Sequence, residues 1–300
     1  MDLTYLFPLN FRDQTMKQTC LLLAAFFICL TAGAQTRYLD EVFSDVTVTS
    51  NIQYGTNITV ITALQSLPPA AQPLVLDMYE PTGDTETDRP LLMMFHTGNF
   101  LPVYVNGGAQ GTKTDSAIVE ICTRYAKMGY VVASVDYRVG WNPLAATQEE
   151  RTLQLIQAAY RGVQDSRTAV RYFRKSVAED GNPYGIDDTK IALGGDGTGG
   201  YITLASAGIS SYNDIILDDT GVPISKFWYD PGTGSQIPMV VEDIHGNPDA
   251  TNDAYAPAEV GGFQLCMANH VGYDSNFDFQ FNLGGALGDL NWLDEGDVPM

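Results

Sequence analysis

One stretch of this 300-residue chain concentrates residue types that could do chemistry: Ile191-Ala192-Leu193-Gly194-Gly195-Asp196-Gly197-Thr198-Gly199-Gly200, an apolar run entering a glycine-rich turn that opens a helix. Two chemistries use that device. In a G-x-S-x-G elbow a nucleophile is held on a strained strand-to-helix turn, with glycines two before and two after because no side chain fits there. In a G-x-G-x-x-G turn a pyrophosphate approaches the backbone at a helix N-terminus. Gly195, Gly197 and Gly200 spell the second pattern, and Asp218 closes Ile215-Ile216-Leu217 about as far on as a ribose-binding acid lies, so a dinucleotide-binding reading stays beside the first.

The remaining candidates are thinner. There are 3 histidines, His96, His245 and His270. The last two fall in an irregular stretch, where a pocket-lining or surface histidine is the simpler reading. Asp249, Thr251 and Asp253 alternate as in a calcium loop but lack its glycine and distal glutamate, so an acidic loop is expected and no metal site is assigned. Asn57-Ile58-Thr59 is a glycosylation sequon. No cofactor is called for.

Composition limits the partners. With 45% hydrophobic and 17% charged residues the chain is globular, and 16 Lys+Arg against 36 Asp+Glu give a formal charge of -20, which repels a phosphate backbone and excludes nucleic acid. Met16-Lys17, the apolar run Leu21 to Leu30 and Ala32-Gly33-Ala34 have the order of a secretory signal with the mature start at Gln35. The run is too short to span a bilayer, which needs about 20 apolar residues. Residues 1–34 are therefore read as a signal peptide, with 1–15 as an upstream over-call of the start, and the protein as secreted or periplasmic with no membrane span. Removing the signal leaves Cys122 and Cys266, each in an apolar stretch; a bridge and two core thiols both remain open.

The elements that must position the turn follow from periodicity. Val46–Thr49, Thr56–Thr62 and Leu74–Tyr79 read as strands. Leu91–Phe95 and Tyr130–Val135 are near-continuous apolar runs, as in parallel strands covered on both faces, with a helix-length stretch, Asp115–Met128, between them. A long helix is expected from Gln148 to about Ala178, a short strand at Lys190–Leu193 and a helix at Gly199–Ala207. Strands alternating with helices give a three-layer α/β architecture with a mostly parallel sheet. From 208 to 262 Asp, Asn, Pro, Gly and Tyr dominate, which reads as a lid or insertion whose Trp228, Tyr229 and Tyr255 pack it or stack on a ligand. An alternating strand returns at Phe277–Leu283, and Asp297-Val298-Pro299-Met300 looks like the opening of another.

Five segments in order carry a resemblance. They are Leu76-Asp77-Met78-Tyr79-Glu80-Pro81, Met94-Phe95-His96-Thr97-Gly98-Asn99-Phe100, the run Gly129 to Arg138 (G-Y-V-V-A-S-V-D-Y-R), Gln164-Asp165 with Ala169-Val170-Arg171-Tyr172, and Gly185-Ile186-Asp187 before the glycine turn. From about Leu74 to Met300 the chain resembles the α/β-hydrolase superfamily, most closely secreted bacterial carboxylesterases and lipase-like proteins. The resemblance implies an α/β-hydrolase fold over 35–300. It makes His96-Thr97-Gly98 similar to the H-G-G-G oxyanion segment and the backbone of Thr198 a further oxyanion donor. It also makes Gly195 and Gly199, with Gly200, the elbow glycines.

Aligned so, Gly197 stands where the family has its nucleophilic serine. Asp196 and Thr198 are poor substitutes: Asp196 as nucleophile puts Thr198 where a glycine is needed, and Thr198 puts a β-branched residue in the strained turn. The implied acid and base follow the strand that Gly296–Met300 would open, so the C-terminal strands and helices are expected to be missing and the chain to be a fragment. The expectation is a carboxylesterase-like pseudoenzyme that binds a small ester or carboxylate; an active esterase with a non-standard nucleophile and a dinucleotide binder are the alternatives.

Overall fold

The computed structural model describes residues 36–62, 67–108 and 110–300. The expected signal peptide and its cleavage point before Gln35 lie outside the described residues. In chain order the main elements are β1 (Val46–Thr59), β2 (Ala70–Pro81), β3 (Arg89–Phe95), α1 (Val103–Asn106), α2 (Ser116–Lys127), β4 (Val131–Val135), α3 (Gln148–Glu179), β5 (Ile186–Asp196) and α4 (Thr198–Gly208). After them come α5 (Tyr212–Ile216), β6 (Trp228–Tyr229), β7 (Ile237–Pro238), α6 (Glu242–His245), β8 (Ala254–Tyr255), β9 (Gln264–Cys266) and β10 (Phe279–Leu283). The two opening strands expected from sequence are one continuous β1, whose register slips between Thr49 and Ile52 and between Gln53 and Gly55, where the alternation breaks.

The main sheet has the order β1-β2-β4-β3-β5-β10. β1 and β2 are antiparallel additions, and β4, β3, β5 and β10 run parallel. The unbroken apolar run of β3 has its explanation here: successive side chains point to opposite faces, and both faces are covered. Leu91, Met93 and Phe95 pack with Ala158, Val170 and Phe173 of α3. Leu92 and Met94 pack with Ile118, Cys122 and Ala126 of α2. The chain therefore has the three-layer α/β-hydrolase fold with a mostly parallel sheet. Among the described residues no helix is long and apolar enough to cross a membrane.

The start of α3 is fixed locally by a reciprocal cap: Thr147 Oγ1 accepts from Glu150 N at 3.1 Å and Glu150 Oε2 accepts from Thr147 N at 3.1 Å. Its buried side carries Arg161, Gln164, Asp165, Arg167 and Arg171 as well as apolar residues. One of these secures the end of β4. Arg138 and Asp165 are both fully buried, 2.8 Å apart, and Arg138 also donates to Gln164 Oε1 at 2.9 Å and to the Ile58 carbonyl at 3.1 Å. A buried charge is tolerated only when paired and hydrogen-bonded, so D-Y-R after β4 and Q-D in α3 are two halves of one interaction.

Residues 208–262 hold α5, α6 and the two-stranded β6–β7 and β8–β9 pairs, the latter closed by Gln264–Cys266. Ile209, Ile215, Ile216, Ile224, Phe227 and Val240 form a second core with Tyr160 and Val163 of α3, Ala205 of α4, and Trp292. Trp228 packs against that core and donates from Nε1 to the Ile216 carbonyl at 2.8 Å, whereas Tyr255 is exposed. Residues 297–300 form no strand, although the Pro299 carbonyl accepts from Gln280 N of β10 at 3.0 Å. Cys122 and Cys266 are both free and fully buried in separate clusters. Of the two readings left open, core thiols holds.

Candidate active site at the β5–α4 elbow

The turn from β5 into α4 is a single residue. Gly197 has φ 51° and ψ -115°, and neither Asp196 nor Thr198 has a positive φ. The strained conformation that an elbow reserves for its nucleophile therefore falls on Gly197 alone, and Asp196 is the last residue of β5, opposite Leu283 of β10. The flanking glycines are required by packing. A Cβ on Gly195 would overlap the Gly199 backbone, one on Gly199 would overlap the Phe95 carbonyl, and one on Gly200 would meet Gly285 Cα at 2.9 Å.

The oxyanion-like segment leaves β3 beside this turn. His96 is buried, stacks on Tyr137 with ring centroids 4.4 Å apart, donates from Nδ1 to the Thr97 carbonyl at 2.6 Å and has Nε2 3.3 Å from Asp136 Oδ1. Tyr137 donates its hydroxyl hydrogen to the His96 carbonyl at 2.8 Å, and Thr198 Oγ1 lies 3.1 Å from the same hydroxyl. A phenol has one proton, so Thr198 is the donor in the second bond and its hydroxyl is tied to Tyr137. Burial pushes the Tyr137 phenol well above its ordinary range. Gly98 (φ 130°), Asn99 (φ 59°) and Phe100 (φ 55°) continue in the left-handed half of backbone space. A Cβ on Gly98 would come within 2.6 Å of Gly111 Cα. Trp141 Nε1 donates to the Asn99 carbonyl at 2.8 Å, and Gly140 N to the Phe100 carbonyl at 2.7 Å.

His96, Thr97, Gly98, Gly197 and Thr198 are thus brought together. Among the described residues, the backbone N–H groups of Thr97, Gly98 and Thr198 donate to no protein acceptor. Two features escaped the sequence reading. Tyr137 stands in the sequence only as a residue of the G-Y-V-V-A-S-V-D-Y-R segment, yet it joins both halves of the site. Thr97 is the second: a Cβ built on Gly197 would overlap the Thr97 hydroxyl and lie 2.8 Å from Thr97 Cβ. The signal was present in the sequence, since Thr97 stands where the resembled segment has glycine.

The other candidates lie elsewhere. His245 Nδ1 is 3.0 Å from the backbone N and O of Val241, and burial lowers its pKa to about 4. His270 Nε2 is 2.7 Å from the Tyr54 carbonyl, and its pKa too is lowered by burial. Neither bonds to the elbow. Asp249 accepts from Arg167 at 3.2 Å and from Ser275 at 2.7 Å, while Asp253 accepts from Ala268 N at 2.9 Å, so the alternating acids serve separate structural bonds. Among the described residues no group of acids, histidines and cysteines could hold a metal. The sequon is corrected by burial. Asn57 is fully buried, and its amide accepts from Met267 N at 3.0 Å and donates to the Met267 carbonyl at 3.4 Å, leaving no room for a glycan in the folded chain.

The dinucleotide reading also needs correction. Ile215-Ile216 belong to α5 rather than to a strand, Leu217 makes only an isolated antiparallel bridge to Pro223, and Asp218 is spent on a turn, accepting from Thr220 N and Val222 N at 2.9 Å each. The acid therefore closes no strand beside β5, and the glycines that would admit a pyrophosphate, Gly195, Gly197 and Gly200, lie against Gly199, Thr97 and Gly285.

This arrangement, a G-x-x-x-G turn with one positive-φ residue at the end of the third parallel strand of a 1-2-4-3-5-10 sheet, agrees with a family comparison. A model of the BD-FAE family, an α/β-hydrolase-type esterase family, matches residues 76–222. Over these residues the chain is similar to that esterase family, consistent with an α/β-hydrolase-type fold. No curated protein matches it. Solved structures similar to it include a hyperthermophilic esterase from the archaeon Pyrobaculum calidifontis (23% identity, 55% of this chain and 38% of that chain, TM-score 0.32). Another is Thermogutta terrifontis esterase 2 phosphorylated by paraoxon (20%, 61% and 52%, 0.34). A third is a truncated carbohydrate esterase from gut microbiota (15%, 80% and 56%, 0.37). The chain spans between 38% and 56% of the length of these three.

Proposed function

We propose that this chain is a catalytically silent, ligand-binding relative of the esterases. The carrying observation is a pair: Gly197 holds the elbow conformation without a hydroxyl, and the Thr97 side chain takes up the space into which a serine would project. An ester carbonyl or a carboxylate oxygen at the turn would accept hydrogen bonds from the N–H groups of Thr97, Gly98 and Thr198. Oxyanion donors alone retain about a 10³-fold effect over water. No hydroxyl at the elbow can form an acyl intermediate, because Thr198 Oγ1 is bound to Tyr137 and Asp196 lies outside the strained turn. The ligand class is a small ester or carboxylate, and the protein is exported after loss of residues 1–34.

The test is hydrolysis of a p-nitrophenyl ester together with labelling by a fluorophosphonate probe. The exported protein should show neither, and its N-terminus should be Gln35. Gly197→Ser alone should stay silent because Thr97 obstructs the new side chain, so any recovered labelling requires Thr97→Gly in addition. Ester hydrolysis by the unaltered protein that Gly197→Ala abolishes, or covalent labelling at Asp196 or Thr198, would overturn the proposal in favour of an active esterase with a non-standard nucleophile.

A further inference from the structure

Away from the elbow, α3 places a second guanidinium in the interior with no acid of its own. Arg161 is 8% exposed; its Nη2 donates to the Gly140 carbonyl at 2.6 Å, and its buried Nε has no hydrogen-bond partner. Asp165, the acid whose charge acts on it, is committed to Arg138 through Nε at 2.9 Å and the backbone N at 2.7 Å. Among the described residues no carboxylate forms an ion pair with Arg161. Burial, with Arg138 adding to it, lowers the Arg161 pKa to about 9. The same side chain lines a cavity of about 80 Å³ with Val60, Gln157, Tyr160, His245 and Leu265. The polar groups around it are largely engaged: Tyr160 donates to the Gly246 carbonyl at 2.7 Å, and Gln157 Nε2 donates to the Met239 carbonyl at 3.0 Å.

A water in this cavity would satisfy the Nε–H but not the charge, and an uncompensated buried charge is far more costly than an unpaired dipole. The volume suits a monatomic anion with one or two waters, at about 30 Å³ of liquid volume per water. Val60 and Leu265 on its wall favour a weakly hydrated ion over a strongly hydrated one. We propose that this cavity is a binding site for a small monovalent anion of the halide class, held by Arg161 between α3, α6 and β9. Through the Gly140 carbonyl the same guanidinium supports the segment whose Gly140 N holds the Phe100 carbonyl at 2.7 Å. The anion therefore stabilises the loop behind the elbow, whatever the elbow binds.

Thermal unfolding in sodium chloride and in sodium gluconate of equal ionic strength tests this, gluconate being too large for the cavity. Chloride should raise the melting temperature of the unaltered chain by about 3 °C more than it raises that of Arg161→Gln, with saturation as chloride increases. Parallel shifts in the two chains would overturn the proposal. Should Arg161→Gln fail to fold, anomalous diffraction from the unaltered chain crystallised with bromide decides: a peak at hydrogen-bond distance from Arg161 Nε supports the site, and water there refutes it.

Discussion

Two strand ends flanking β3 are built from motif residues yet differ in what they can lose. At the end of β4, Arg138 and Asp165 are fully buried and depend on each other. At the end of β5, Gly195, Gly199 and Gly200 hold the strand against the helix, while Gly197, the one position with a catalytic rather than a packing duty in an elbow, carries no side chain. Removing half of a buried ion pair strands the other charge, so folding itself preserves the first junction. A serine at a positive-φ turn contributes reactivity and adds strain, so folding does nothing to preserve it and gains from its loss. Scaffold and chemistry are thus under separate physical control in one sheet.

The largest break in this contrast is expected at the β4 end. Asp165→Asn should cost about 3–5 kcal/mol, the range for an orphaned buried charge, measured by urea unfolding; a loss below about 1 kcal/mol would mean that the junction tolerates change as the elbow does. Next comes the packing half of the elbow: Gly199→Ala should cost about 3 kcal/mol, because its methyl meets backbone that cannot yield. At the turn residue itself, Gly197→Ala should cost about 2 kcal/mol in the presence of Thr97 and about half that beside Thr97→Gly, a coupling that a double-mutant cycle reads directly. Additive effects there would mean that Thr97 does not obstruct the turn.

The smallest expected effect is one of pH. Burial lowers the His245 pKa from 6.5 to about 4, so the unfolded chain takes up a proton before the folded one does. Stability is fully present above about pH 6.5 and declines as the pH falls toward 4. Because the ring is only part-buried, a loss of about 1–2 kcal/mol is expected rather than the full value of the shift. His245→Gln should flatten that slope while leaving the elbow untouched.

The sheet was legible because its signals are local. The apolar run of Leu91–Phe95 has no polar face to show, which marks a strand covered on both sides, and the alternation at Phe277–Leu283 appears as β10 at the edge. The glycine turn was legible because its spacing answers a packing demand. What stayed hidden depends on neighbours distant in sequence. Asn57 satisfies every local requirement of a glycosylation site and is buried by Met267, some 210 positions away. The obstruction of Gly197 by Thr97 arises where β3 and β5 end side by side, and the reading of residues 208–262 as irregular missed the side chains that seat them on α3 and α4. Sequence patterns also could not distinguish Ile215-Ile216-Leu217 in a helix from the same run in a strand, because short apolar runs fit both periods.

The two free thiols among the described residues have a use of their own. Burial pushes the thiols of Cys122 and Cys266 up from their ordinary range, so neither is a nucleophile in the closed molecule. A thiol reagent therefore modifies only chains that have opened, and the modification rate becomes a clock. Cys122, on the face of α2 that packs against the sheet, times the parting of the whole molecule, whereas Cys266, in the small cluster with Ala250 and Ala254, times the release of the β8–β9 arm.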